Sequence, residues 1–117
     1  MKYLLLICES EAAWETIPPE QQGPIFQEYV ELSENLAKAG KLLGGEPLEP
    51  VRSASTVRVR DGKTLVTDGP FAETREQIGG FYLVEAENLD EAIAIAARIP
   101  GARSGCVEVR PVMPMPG

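Results

Sequence analysis

The segment Lys2-Tyr3-Leu4-Leu5-Leu6-Ile7-Cys8 is apolar at every position after its lysine. Side chains alternate between the two faces of a strand, so a strand with water on one face shows alternating apolar and polar residues. A run without alternation is typical of a central strand that is covered on both faces. We therefore expect residues 2–8 to form a central strand with material packed against each side.

The first helix is predicted by the spacing of apolar residues that follows. These residues are separated by four, three, four and three positions, which places them on one helical stripe: Ile25, Tyr29, Leu32, Leu36 and Ala39. Gly40 is expected to end the helix. Residues 9–23 contain Pro18-Pro19 and Gly23-Pro24, so they are expected to form a loop with one short turn around residues 11–14.

A second helix is expected to begin at Asn88, because Glu91 stands three positions later and completes a capping box. Pro100-Gly101 should end it. Residues 78–84 and 106–110 are expected to be strands on either side of this helix. Cys8 and Cys106 then become neighbours if the first and last strands pair antiparallel.

A hairpin is the clearest local signal in the chain. Thr56-Val-Arg-Val-Arg60 and Lys63-Thr-Leu-Val-Thr67 flank the dipeptide Asp61-Gly62. Both central positions of a type I′ turn need a positive φ, which Asp-Gly accommodates. Residues 68–77 are then expected to form a polar loop or helical turn.

The order of these elements predicts an α+β fold of ferredoxin-like topology. Two interleaved, right-handed β-α-β crossovers give an antiparallel sheet with both helices on one face. The other face of strand 2–8 then needs a cover, and the same face of a second copy supplies one, giving a homodimer whose sheets meet as an α/β barrel. We expect one domain over residues 1–112 and a flexible tail over 113–117.

Composition excludes several classes of function. The net charge is −7 and no basic tract is present, which argues against a nucleic-acid partner. The run Tyr3 to Cys8 is too short to span a membrane or to serve as a signal peptide. Without histidine the chain lacks Ser-His-Asp and Cys-His couples and His-bearing zinc sites. Two distant cysteines favour reduced thiols and a cytoplasmic location, and we expect no metal and no cofactor.

Charged residues on the last strand and the hairpin suggest a first candidate site. If Val107 and Val109 face the helices, alternation puts Glu108 and Arg110 on the covered face. Arg58 of the hairpin is expected to point to that face as well. Arg58 and Arg110 could hold a carboxylate, enolate or phosphate while Glu108 or Asp68 moves a proton. Alternatively, Glu108 pairs with one of the arginines, or all three lie near the rim in water.

The stretch Asp68-Gly69-Pro70-Phe71-Ala72-Glu73-Thr74-Arg75-Glu76 closely resembles the signature of the DGPF branch of the YCII-related (YciI-like) proteins. Similar segments flank it, and the resemblance covers residues 1–112: Met1-Lys-Tyr-Leu-Leu-Leu-Ile, Thr56-Val-Arg-Val-Arg, Gly79-Gly-Phe-Tyr-Leu-Val and Val107-Glu-Val-Arg-Pro-Val112. The resemblance implies a dimeric α/β-barrel fold. It also implies a link to extracytoplasmic-function sigma factors, near which relatives occur, and hence a regulatory protein partner.

Some YciI-like relatives look like enzymes with a His-Asp pair at a pocket. This chain has no histidine, and the matching position falls near Tyr29, a poor base at neutral pH because its pKa lies near 10. Asp68 and Glu73 of the signature stand beside a stiff loop, where two carboxylates could share or shuttle a proton. In the simpler interpretation, Gly69-Pro70 forms a turn and Phe71 anchors it in the core.

Three functions therefore stay open. The first is a homodimer that binds a small polar or anionic organic molecule, with Arg58, Arg110, Glu108 and Tyr29 as binding residues. The second is a cofactor-independent enzyme of the lyase or isomerase type, with Asp68 or Glu73 as its base. The third is a non-catalytic partner of a regulatory protein such as a sigma factor, for which a large exposed apolar patch would be the sign.

Overall fold

Ten helices and strands are present in a computed structural model that describes residues 1–116. In chain order they are β1 (Lys2–Glu9), α1 (Glu11–Glu15), α2 (Pro19–Lys38), β2 (Leu42–Pro47), β3 (Ser55–Arg60), β4 (Lys63–Asp68), β5 (Gln77–Glu85), α3 (Leu89–Ala97), α4 (Gly101–Ser104) and β6 (Cys106–Pro111). One turn of 3-10 helix, Val51–Ser53, precedes β3.

The main sheet is antiparallel and has the strand order β2-β5-β1-β6. β1 lies between β5 and β6, which confirms residues 2–8 as a central strand. The order is that of the ferredoxin-like topology expected from the sequence. The sheet is open rather than closed, so a barrel requires a second copy and stays a prediction.

Both long helices pack on one face of this sheet, where the apolar core lies. The buried core side chains are Tyr3, Leu5 and Ile7 of β1, Leu32 and Leu36 of α2, Tyr82 and Val84 of β5, Ala92, Ile95 and Ala96 of α3, and Ala86 and Ile99 beside them. Val107 and Val109 of β6 are partly buried against the same core. The other face, here called the open face, carries Leu4, Leu6, Phe81, Leu83, Cys106, Glu108 and Arg110, because strand side chains alternate.

The first helix is longer than its apolar spacing predicts, since α2 begins at Pro19 and contains Pro24. The predicted loop over residues 9–23 is therefore wrong for its last five residues. Pro19 occupies the first helical position, where no N–H partner is needed. Contacts with the preceding segment hold this end: the Gln22 side-chain amide donates to the Ile17 carbonyl at 2.9 Å, and the Trp14 and Phe26 rings meet edge to face at 5.5 Å. The short turn predicted near residue 11 is α1.

The predicted hairpin is confirmed, and it forms a two-stranded sheet of its own. Asp61 and Gly62 have φ values of 51° and 74°, as a type I′ turn requires. We call Ser55–Asp68 the arm. Arg58 belongs to the arm and Arg110 to the main sheet, so the two arginines do not share one sheet face.

The C-terminal half follows the prediction except for one added helix. The Asn88 side chain accepts a hydrogen bond from the Glu91 amide at 2.9 Å, which confirms the cap of α3. Pro100-Gly101 ends one helix but also begins the short α4. Cys8 lies directly opposite Cys106, as expected.

Residues 112–116 have no regular structure, and the last residue of the predicted tail, Gly117, lies outside the described residues. Among residues 1–116, no helix is both long and apolar enough to cross a membrane.

Candidate functional site

A cavity of about 750 Å³ lies between α2 and the end of the main sheet where β1 and β2 finish. Its volume falls in the range of small-molecule sites. Most of its wall is apolar, and aromatic rings supply a large part of it: Trp14, Phe26, Tyr29 and Tyr82. The cavity can therefore remove the apolar body of a small organic molecule from water.

One corner of the cavity is built from hydroxyl and carboxylate groups. Glu9 ends β1, and its two oxygens accept hydrogen bonds from different elements: the Tyr29 hydroxyl of α2 donates to Oε1 at 3.4 Å, and the Ser104 hydroxyl of α4 donates to Oε2 at 2.9 Å. The Tyr29 hydroxyl also accepts from the Gly101 amide at 3.1 Å. Three elements thus fix the position of one carboxylate.

Gly101 is required at this corner because the backbone comes very close to it. A Cβ at this position would lie 2.6 Å from Glu9 Oε1 and 2.7 Å from Ile7 Cγ2. The absence of a side chain therefore lets α4 approach β1 closely enough for the hydrogen bond from its first amide.

Tyr29 is a hydrogen-bond donor here rather than a base. Burial, and after it the negative charge of Glu9, raise the pKa of Tyr29 far above its ordinary value. The phenol therefore stays protonated at any physiological pH. The sequence analysis also expected Tyr29 to be a poor base, from the ordinary pKa of its phenol.

Further hydrogen bonds hold the wall of the cavity in place. The Ser33 and Tyr82 hydroxyls lie 3.0 Å apart, joining α2 to β5. The Glu11 side chain accepts from the Val51 amide at 3.0 Å, and the Glu11 amide donates to the Gln77 side chain at 2.9 Å. Within residues 1–116, no group of three Cys, Asp or Glu side chains is placed to hold a metal ion.

The charged residues that line the cavity are mainly acidic. They are Glu9, Glu11, Glu15, Glu34, Glu46 and Arg52. Five carboxylates against one guanidinium make the potential of this site negative, which disfavours anions and attracts cations. The acidic lining contrasts with the sequence-based expectation of an anionic ligand held by arginines.

Of the six residues predicted from the sequence, Tyr29 lines the cavity. The other five are exposed and lie outside its lining: Arg58, Asp68, Glu73, Glu108 and Arg110. Glu108 and Arg110 form an ion pair on the open face at 2.5 Å. This pairing is the alternative in which Glu108 binds one of the arginines instead of a ligand. Gly69 has the expected positive φ of 98°. Phe71 was expected to anchor this turn in the core, but it is 81% exposed, so that prediction is wrong.

The sequence did not reveal the importance of Glu9, Ser104 and Gly101. Glu9 was expected to lie in the loop after the first strand, and Gly101 at the end of a helix. The signal that was available is the position of an acidic side chain directly after a buried strand. The hydroxyl of Ser104 is 95 residues away in the chain, so no local pattern could connect the two.

The strand order and the helices on one face make this chain an α+β protein of ferredoxin-like topology with a cavity beside its sheet. It belongs to the YCII-related domain family, whose family model matches residues 1–116. It is similar to an uncharacterized protein, R00369, of Rhizobium meliloti strain 1021, with 36% identity over 114 residues. That alignment covers 96% of this chain and 92% of the relative. Assignment to the DGPF branch stays a prediction.

Proposed function

We propose that this protein binds a small organic molecule with an apolar body and one neutral or cationic polar end. The observation that carries the proposal is the cavity itself, in which a mainly apolar wall surrounds the fixed Tyr29–Glu9 corner. Apolar lining with few, well-placed polar groups is typical of ligand sites. The acidic lining is the reason for preferring neutral or cationic ligands over the anions considered earlier.

Binding is favoured over proton transfer by the state of the polar corner. A raised pKa keeps Tyr29 protonated, so it can donate a hydrogen bond but cannot accept a proton at neutral pH. Asp68 and Glu73, the predicted catalytic carboxylates, do not line the cavity. The geometry therefore supports recognition of a ligand without a chemical step.

We further propose that the protein acts as a homodimer formed through the open face. Leu4, Leu6, Phe81 and Leu83 place apolar surface there, on two central strands of the sheet. Burying apolar surface contributes roughly 25 cal/mol per Å², and a stable interface takes about 800 Å² from each partner. A two-fold contact of this face with itself would cover both central strands in one step.

The ligand proposal is tested with three probes that share a phenyl body and differ in their polar end: phenethylamine, phenethyl alcohol and hydrocinnamate. We expect the amine and the alcohol to raise the melting temperature, since a ligand at 100 times its Kd stabilises by about 2.7 kcal/mol. They should also change the emission of Trp14, the single tryptophan, which lines the cavity. Hydrocinnamate should do neither.

Two variants show whether the response comes from the cavity. Val30→Phe adds bulk to the lining and should abolish the response to the amine and the alcohol. Ile93→Phe places the same ring at a similarly exposed helical position away from the cavity and should leave the response intact. If none of the probes changes Trp14 emission or the melting temperature, the proposal fails. If hydrocinnamate binds best, the assignment of ligand charge is wrong.

A further inference from the structure

The arm presents a row of apolar side chains to water. Val57 lies directly opposite Val66, and Val59 stands on the same face. These three valines are 58, 63 and 60% exposed, respectively. A two-stranded hairpin alone is marginally stable in water and needs a surface to pack against. Since β3 and β4 pair with each other and with no other described strand, that surface has to be found elsewhere.

The arm also extends away from the body of the protein. It is inserted between the end of β2 and the start of β5, at the same end of the sheet as Glu9. The radius of gyration is 16.2 Å, whereas a compact chain of this length has about 13 Å. The molecule measures 48 by 47 by 19 Å, a flat shape, and the three valines are not part of its buried core.

The charge of the arm is opposite to that of the rest of the chain. The arm contains three basic residues, Arg58, Arg60 and Lys63, against two aspartates. The remainder contains eight basic residues against sixteen acidic ones. An arm of this kind is attracted to an acidic surface over roughly one Debye length, about 8 Å at physiological salt. A second copy of this chain provides such a surface.

We propose that the arm docks on a second copy of the chain, with the valine face forming the contact. The inference rests on the proposed homodimer and adds a second contact region to the open face. In a two-fold assembly each copy gives one arm and receives one. The exchange covers both valine faces. The net positive charge of each arm lies on the opposite face and attracts the acidic body of the partner over a longer range.

The test replaces Val57, Val59 and Val66 together by threonine, which keeps the branched shape and the strand preference but removes apolar surface. Sedimentation equilibrium should show a rise in the dimer Kd of at least about tenfold, equivalent to ~1.4 kcal/mol. Leu65→Thr is the matched control, since it removes apolar surface from the opposite face of the arm and should leave the Kd within about twofold. The double variant Arg58→Glu, Arg60→Glu should also raise the Kd.

The outcomes separate this inference from the proposed homodimer. If the wild-type protein is a monomer at all concentrations, both are overturned. If it is a dimer whose Kd is unchanged in the threonine variant, the dimer stands and arm exchange is overturned, and the valine face is then a surface for a different protein. If reversal of the two arginines leaves the Kd unchanged, charge does not select the second copy and the inference also fails.

Discussion

At the scale of single residues, Gly101 decides whether the polar corner can form. Its Cβ would contact Glu9 and Ile7 at distances under 3 Å, and the stiff, β-branched Ile7 has little freedom to move. We expect Gly101→Ala to destabilise the protein by about 1–3 kcal/mol, the usual range for added bulk in a packed site. Urea unfolding, followed by circular dichroism, measures the change.

Gly23 provides the matched control for this substitution. It lies inside α2, and apart from its chain neighbours a Cβ there would meet nothing within 4 Å. Gly23→Ala should change the stability by less than about 0.5 kcal/mol, because the gain from helix preference and from restriction of the unfolded chain is offset by crowding of the new Cβ against the Pro24 ring. A large loss of stability at Gly101 and a small change at Gly23 would identify the close approach as the cause. Equal effects would contradict it.

The contrast between these glycines shows how far residue-scale prediction reaches. Positive φ at Gly62 was predictable, because a type I′ turn requires it locally. The need for Gly101 was not, since it comes from side chains of β1 and α2 that lie more than 70 residues away in sequence. Local patterns predict turns, whereas the candidate site is made of long-range contacts.

At the scale of elements, α2 is where sequence and structure differ most. Pro24 was expected to lie before the helix, but it lies within it and removes the hydrogen bond that its N–H would give to Glu20. We expect Pro24→Ala to stabilise the protein by about 1–3 kcal/mol, since a proline inside a helix costs roughly 3 kcal/mol. The melting temperature and the helical signal in circular dichroism would both rise.

Pro19→Ala is the control for Pro24→Ala. It separates the gain of the interior helical hydrogen bond from the effect of proline on the unfolded chain. Pro19 occupies the first helical position, where its missing N–H has no partner to lose. Both substitutions give the unfolded chain similar added freedom, so the difference between them isolates the interior hydrogen bond. A stabilisation that is equal in the two variants would show that Pro24 causes no strain in α2.

At the scale of the whole molecule, the continuous apolar run of β1 predicted the topology correctly. The order of strands and helices followed from this run and from two helical stripes. What the sequence could not show is that the hairpin leaves the main sheet, because alternating residues look the same in a free arm and in a sheet edge. The position of the cavity depends on this arrangement, so it could not be predicted from the sequence either.

The proposed interface of the open face gives the last prediction. Leu6 stands at its centre, opposite Phe81 on one side and Glu108 on the other. Leu6→Lys keeps a long aliphatic stem on the sheet, so each subunit can still fold, but a dimer would have to bury two ammonium groups. Light scattering should therefore show a dimer for the wild type and a monomer for Leu6→Lys. Ile93→Lys, on the exposed side of α3, should remain dimeric. A Leu6→Lys protein that folds and still dimerises would place the interface elsewhere.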